Sequence, residues 1–380
     1  EDNRRATDDA IKGAAHVTTL ELVNNRLVPN AMEPRCSMAS YKESSDEYTL
    51  HTTSQNPHLT RLLISAFVMG IPENKLTVIA PDVGGGFGSK IYHYGEEALV
   101  LAAAKRVGRT VKWTSDRTEA FLTDAHGRDH VTTIELATDA EGNFLAFRTE
   151  TYANVGAYLS NFATATPTFL HGTLMAGNYT VPNVYVNVKA VFTNTAPVDA
   201  YRGAGRPEAT YSLERVIDKC ARELGMDPIA LRRKNFIKPD QYPFASAAGL
   251  EYDSGNYDAL MDKMEEVADV AGFAERRKAS EAKGLLRGFG VNAYVEACGI
   301  APSNLVGVLG SRVGLYDAAT VRVNATGNLS VMVGAHSHGQ GHETAFSQII
   351  ADRLGVPFED VEVLHGDTQV APKGLDTYGS

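Results

Sequence analysis

Three segments of the chain share one change of rhythm: an apolar, strand-like run breaks into a glycine-rich turn, and apolar positions then recur at helical spacing. They are LTVIAPDVGGGFGSK, VFTNTAPVDAYRGAGRPE and SVMVGAHSHGQGHET. Behind the first, GEEALVLAAAKRVGRT predicts a helix with Glu96 and Glu97 in its opening turn, an apolar face through Leu99, Ala102 and Ala103, and Gly108 as its stop. Behind the second, Pro207 and Glu208 open a helix that runs through Tyr211, Leu213, Val216 and Ile217 to Gly225. Behind the third, Glu343 precedes Ala345, Phe346, Ile349, Ile350 and Leu354, and Gly355 ends the pattern. Each unit is expected to aim backbone N–H groups and the positive end of a helix at an anion in its turn. Three of them together imply a large polyanionic ligand gripped from several sides.

Two stretches, TTIELATDAEGNFLAFRTE and ATVRVNATGNLSVMVGA, alternate apolar and polar residues on both sides of a Gly-Asn turn and read as hairpins. The polar stretch KPDQYPFASAAGLEYDSGN separates the middle helix from a charged helical segment near Asp258–Lys283. The fold class expected is α/β in a mixed α+β arrangement, with two related lobes of mixed sheets and helices around a shared site. Residues 1–30 are expected to connect, 31–280 to form the first lobe, and 281–380 to begin a second, incomplete one. The first residue is Glu and the last segment, GLDTYGS, is a polar turn, so both ends read as truncated.

A length of 380 residues exceeds one ordinary domain. With 43% hydrophobic and 22% charged residues the chain reads as a soluble globular protein. A formal charge of −10 argues against nucleic acid or an anionic membrane as partner. There is no run long enough for a membrane span, and the charged start EDNRRATDDA lacks a signal-peptide core, so a cytoplasmic location is expected. The only cysteines, Cys36, Cys220 and Cys298, lie too far apart for a CxxC zinc site or an iron–sulfur cluster built within the chain. All three are expected to be reduced, buried thiols.

The loops do not carry the common nucleotide signatures. GGGFGSK places Ser89 between Gly88 and Lys90, which breaks the Gly-Lys-Ser/Thr ending of the phosphate loop, and none of the three supplies G-x-G-x-x-G. A nucleotide-binding ATPase is disfavoured on this ground, and a tight strand-to-helix turn remains the plain alternative for each loop. Close spacing of His336, His338 and His342 also raises the alternative of a zinc or copper site.

Taken in order, TTSQNPH, PDVGGGFGSK, AYRGAGRPE, ELGMDPIALRRKNFI, GQGHETAFSQI and GDTQVAPKGLDTYGS resemble the large, molybdenum-binding subunit of the xanthine oxidase family. Within it the closest likeness is to the carbon monoxide dehydrogenase large-chain branch. The resemblance covers nearly the whole chain. It implies a molybdenum hydroxylase that inserts oxygen from water at an electron-poor carbon, with a glutamate as base. No protein ligand to the metal is implied, because a pterin dithiolene holds the molybdenum, usually in bacteria as molybdopterin cytosine dinucleotide. Electrons are implied to leave through an iron–sulfur subunit and an FAD-binding medium subunit, in a dimer of heterotrimers, which agrees with the missing cysteine clusters.

By this resemblance Gln55, Phe87 and Arg202 stand beside the metal: Gln55 hydrogen-bonds an oxygen ligand, Phe87 shapes the pocket, and Arg202 stabilises charge on bound oxygen. Cofactor contacts are implied for Gly85, Gly86, Phe87 and Gly88, and for Ala200, Tyr201, Arg202 and Gly203. In the second lobe they are implied for His338, Gly339, Gln340, Gly341, His342 and Thr344, which favours cofactor hydrogen bonds over metal ligation by the histidines. The final loop adds Thr377, Tyr378, Gly379 and Ser380. Two positions depart from the best-known relatives. Gly203 stands where carbon-monoxide-oxidising members have a copper-binding cysteine, and Ile91 where purine-oxidising members have a substrate-reading glutamate. An aldehyde or N-heteroaromatic substrate is then expected, with carbon monoxide oxidation as the alternative. The family's catalytic glutamate belongs to a glycine-rich motif with no counterpart here; a cofactor-binding scaffold without turnover is the remaining reading.

Overall fold

A computed structural model describes residues 2–298, 307 and 316–378. Helix α1 (Asp2–Gly13) leads to strand β1 (His16–Asn24), β2 (Cys36–Lys42), β3 (Glu47–Thr52), helix α2 (Pro57–Leu63) and β4 (Leu76–Ile79). Next come α3 (Gly95–Val107), β5 (Val111–Thr114), α4 (Arg117–Thr123), β6 (His130–Thr138), β7 (Phe144–Gly156) and β8 (Asn183–Phe192). Helices α5 (Arg206–Leu224) and α6 (Pro228–Asn235) precede a two-stranded ribbon of β9 (Phe244–Ala245) and β10 (Glu251–Tyr252). Helices α7 (Tyr257–Val267) and α8 (Phe273–Glu281) follow, and the described part of the chain ends in β11 (Ala319–Val323), β12 (Leu329–Val333), helix α9 (His342–Leu354) and β13 (Val361–Leu364). Three larger sheets result, in the orders β1-β6-β7-β8, β4-β3-β2-β5 and β11-β12-β13, each mixing parallel and antiparallel pairs. The mixed α/β class is as expected.

Both sequence hairpins form: β6 pairs antiparallel with β7 and β11 with β12. In β6 the alternation works as a sorting device, with His130, Thr132, Ile134 and Leu136 buried while Val131 and Thr133 are exposed. Ile134, Leu136 and Phe147 pack against Leu213, Val216, Ile217 and Cys220 of α5. Each such side chain contributes about 1.5–3 kcal/mol by leaving water, so the middle glycine loop, which launches α5, is bolted to the largest core. A second core joins Ala39, Leu50 and Val78 to Val100, Leu101 and Ala104 of α3. Residues 16–24, placed by sequence in a connecting segment, form an edge strand of the first sheet.

Three expectations need correction. The buried face of α3 is Glu97, Val100, Leu101 and Ala104, and Leu99 is 67% exposed. The helix is rotated because Glu97 turns inward to Thr52 and His93, which carries the 100/101/104 stripe onto β2 and β3. The first glycine loop also does not run straight into a helix. Residues 89–94 intervene, and the Glu97 carboxylate already accepts the Tyr94 N–H at the start of α3, so this donor is not free for a ligand in the loop. Of the cysteines only Cys220 is buried; Cys36 is half-buried and Cys298 is exposed.

Candidate functional site

The first loop is built by close approach. Gly88 has φ +107°, and a Cβ there would lie 2.3 Å from the Ala200 carbonyl oxygen, so the two glycine loops touch backbone to backbone. The Gln55 side chain is 4% exposed and its Oε1 accepts the Gly88 N–H at 2.9 Å, while its backbone N–H donates to Lys90 O at 2.9 Å. Gln55 thus joins the turn before α2 to the glycine loop and does not cap the helix that Pro57 begins. Lys90 is buried and paired with Glu33 at 2.9 Å; the same carboxylate oxygen accepts the Gly84 N–H at 2.8 Å. Burial lowers the Lys90 pKa, opposed by Glu33. The lysine is committed to clamping the loop, which removes it as a phosphate ligand.

The middle loop locks onto the first through the Arg202 N–H, which donates to Phe87 O at 2.8 Å. The Arg202 guanidinium is exposed, sits 5.6 Å from the Phe87 ring centre, and makes no ion pair among the described residues. Beneath it, Arg128 donates to the carbonyls of Tyr201 and Arg202 at 2.8 and 2.7 Å and pairs with buried Glu208. Tyr92 donates to Ala200 O, and the Asp199 carboxylate accepts the N–H groups of Ala200 and Phe162. Burial pushes Asp199 up to about 6. Helix α5 begins from Gly205 with no side-chain cap, but the Arg206 N–H donates to Gly203 O at 3.3 Å and Pro207 has no N–H, so its first two positions present no free donor to the loop.

The third loop and the final loop close the site. Helix α9 starts from Gly341, also without a side-chain cap. His338 Nδ1 is buried with no partner, and burial lowers the ring's pKa to about 4; His336 falls to about 3 for the same reason. His336 Nδ1 lies 3.1 Å from His365 Nδ1, and His365 Nε2 lies 2.6 Å from Glu343. His336, His365 and Glu343 thus form one chain of contacts, while His336 Nε2, His338 Nδ1 and His342 Nδ1 have no partner and no group of three or more potential ligands is placed to hold a metal among the described residues. The final loop is tied down by Asp376, whose carboxylate accepts the N–H groups of His58 and Leu59, and by Asn56, which donates to Leu375 O. Thr377 N–H then reaches Gln55 O at 3.4 Å. Burial pushes Asp376 up to about 8.

A cavity of about 680 Å³ lies where these loops meet. Of the residues singled out by sequence, Gln55, Gly85, Phe87, Gly88, Ala200, Tyr201, Arg202, Gly203, His338, Gly339, Gln340, Thr377 and Tyr378 line it. Gly86, Gly341, His342 and Thr344 do not; Gly86 packs behind the wall on Gln55, and the His342 ring stacks on Phe346. Gly379 and Ser380 lie outside the described residues. Ile91, Val83 and Met32 give the cavity an apolar side. A second cavity of about 760 Å³ shares Arg202, Gly203 and Arg206 with it. Sequence reasoning missed Glu33, Arg128 and Asp376, which hold loops without touching the cavity. The last had a visible signal, since Asp in a turn readily accepts backbone N–H groups.

Comparison with known proteins places this geometry. The model of the molybdopterin cofactor-binding domain matches residues 2–236, and a second model of that description matches 263–380. The chain is 37% identical to the carbon monoxide dehydrogenase large chain of Hydrogenophaga pseudoflava, over all of this chain and 47% of that one. It is 32% identical to the nicotine 6-hydroxylase large subunit of Paenarthrobacter nicotinovorans, over 98% of this chain and 46% of that one. The crystal structure of quinoline 2-oxidoreductase from Pseudomonas putida 86 superposes with a TM-score of 0.92 at 34% identity, covering 98% of this chain and 47% of that one. The chain spans about half the length of the curated relatives it matches.

Proposed function

Since the chain belongs to the molybdopterin cofactor-binding domain family, we propose that it is the molybdenum-binding part of a xanthine oxidase family hydroxylase acting on an N-heteroaromatic ring or an aldehyde. The observation that carries this reading is the single cavity on which all three glycine loops and the final loop converge. Its residues fit the cofactor: the bare glycine backbone at Gly339 suits close approach of a flat pterin, and His338 Nδ1, without a partner among the described residues, offers a hydrogen bond at the wall. Gln55, Phe87 and Arg202 with Ala200 and Gly203 would hold the metal end, and His338, Gly339, Gln340, Thr377 and Tyr378 the pterin and nucleotide, in the form of molybdopterin cytosine dinucleotide.

When bound, this cofactor supplies an oxidant that exchanges two electrons and delivers oxygen derived from water. The chain's own residues do the rest. Gln55, immobilised by the Gly88 N–H, presents its amide at a fixed position, and Arg202, without an ion pair among the described residues, keeps a cation in the wall, where charge develops during the reaction. Phe87, Ile91 and Tyr378 provide an apolar surface for a flat or small substrate and exclude water. The cavity wall has no Asp or Glu among the described residues, so the reading assigns the base to a glutamate elsewhere in the subunit. Electrons would pass to iron–sulfur and FAD partners within a soluble cytoplasmic complex.

Carbon monoxide oxidation is the less favoured reading because of Gly203. Its φ is +95° and a Cβ there would lie 2.4 Å from Pro207 Cγ, so the loop as folded has no room for a cysteine side chain. The test is the full-length subunit purified with its natural partners, assayed for molybdenum and released cytidine nucleotide, and for turnover of quinoline, benzaldehyde, xanthine and carbon monoxide. Molybdenum should be present, with quinoline or benzaldehyde the best substrate, and Gln55→Ala and Arg202→Ala should each slow kcat by about 10²-fold or more. A complex without molybdenum, or both variants at full activity, overturns the reading; turnover confined to carbon monoxide overturns the substrate class.

A further inference from the structure

The exposed Arg202 is held by a buried one. Arg128 is 7% exposed and occupies a left-handed backbone position, φ +67°, in the loop that precedes β6. Its guanidinium donates to two consecutive carbonyls, Tyr201 O at 2.8 Å and Arg202 O at 2.7 Å. The same group lies 3.3 and 3.4 Å from the two oxygens of Glu208, which is 1% exposed, and 4.8 Å from the Tyr201 ring centre. On the opposite side, the Arg202 N–H is taken by Phe87 O. The Arg202 peptide is therefore fixed from both faces, and its own side chain makes no ion pair among the described residues.

Charge balance of Glu208 alone would need only a cation. The two carbonyl contacts need a planar fork, which lysine cannot supply. A left-handed, non-glycine backbone and a buried ion pair are both costly to keep, and here both serve to bring that fork under residues 201 and 202.

We infer that Arg128 is a positioning residue for Arg202: it sets the direction of the 201–202 peptides, so that the Arg202 guanidinium stands in the cavity wall. This rests on the role given to Arg202 above. The Glu208 carboxylate in turn orients the fork.

The test uses the full-length subunit in its native complex, with whichever of quinoline or benzaldehyde turns over faster. Arg128→Lys keeps a charge for Glu208 and loses the fork. It should lower kcat about 10- to 100-fold, the scale expected for a misplaced group, while KM and molybdenum per chain stay at wild-type values. Hydrogen exchange of peptides covering residues 199–207 should become faster. R128M/E208M, which leaves no buried charge unpaired, is run in parallel and should show the same loss. The effects of Arg128→Lys and Arg202→Ala should not multiply: the double variant should be no slower than Arg202→Ala alone. Wild-type kcat and exchange in Arg128→Lys, or in R128M/E208M, overturns the inference, as does a fully multiplicative double variant. If Arg202→Ala itself is fully active, the underlying reading fails instead.

Discussion

Gly88 and Gly339 have nearly the same backbone, φ +107° and +112°, and opposite surroundings. At Gly88 an added Cβ would strike the Ala200 carbonyl; at Gly339 it would meet nothing within 4 Å. At Gly88 glycine lets two loops close on each other, and the protein itself fills the space a side chain would take. In the third loop glycine is needed only for its dihedral, and the backbone lies bare along the cavity. The first two loops are therefore a rigid wall, whose shape is set by Gln55, Lys90–Glu33 and Arg128–Glu208, whereas the third is a lightly held strap at the mouth of α9.

The most severe way to test this difference is one methyl group. Gly88→Ala combines a strained dihedral with a clash against backbone that cannot turn aside. It should cost on the order of 4 kcal/mol or more and separate the two loops. Gly339→Ala carries the dihedral strain alone, about 1–2 kcal/mol. In the full-length complex, molybdenum per chain should collapse in the first variant and persist in the second. Equal retention by both would dissolve the distinction between wall and strap.

A gentler probe removes the acid that holds each loop. Glu33→Ala strands the buried Lys90 charge and the Gly84 N–H, and should cost roughly 2–3 kcal/mol, less than for a fully enclosed pair because Glu33 is itself 35% exposed. Glu343→Ala removes a half-exposed partner of His365 and should cost less than about 1 kcal/mol. Thermal midpoints of the two variants measure the contrast; similar losses would show that the strap is as firmly built as the wall.

The difference also explains what could be read from sequence. Strand, turn and helix stops were legible at Gly108, Gly225 and Gly355, each a left-handed C-cap, because glycine after an amphipathic run is a local signal. Ordered motifs likewise gave most of the residues that line the cavity. The supports were not legible. Arg128 and Glu208 are 80 positions apart, Glu33 and Lys90 57, and Asp376 meets His58 across 318, so nothing in either local pattern reveals the pairing. The inward turn of Glu97 was also hidden: an acid in a first helical turn normally faces solvent, and Thr52, 45 positions away, together with His93 draws it in.

Acid should discriminate the wall from within. His171, fully buried, packs edge-to-face on His130 beneath the middle loop, 5.3 Å between ring centres. Burial, only weakly opposed by the Gly205 backbone, lowers His171 to about 4, and burial with neighbouring His171 and Arg128 lowers His130 to about 3. Both rings are therefore neutral in the fold at pH 7, while in the unfolded chain they take up protons as pH falls below about 6.5. Their stabilising contribution is complete above that value and is lost as pH falls toward the folded values. For His171 the loss between pH 7 and pH 5 amounts to about 2 kcal/mol. His171→Leu, of similar volume and without a titrating group, should flatten this dependence by that amount, measured by chemical denaturation at the two pH values. An unchanged slope would mean that protonation elsewhere, not beneath the middle loop, sets the acid limit of the wall.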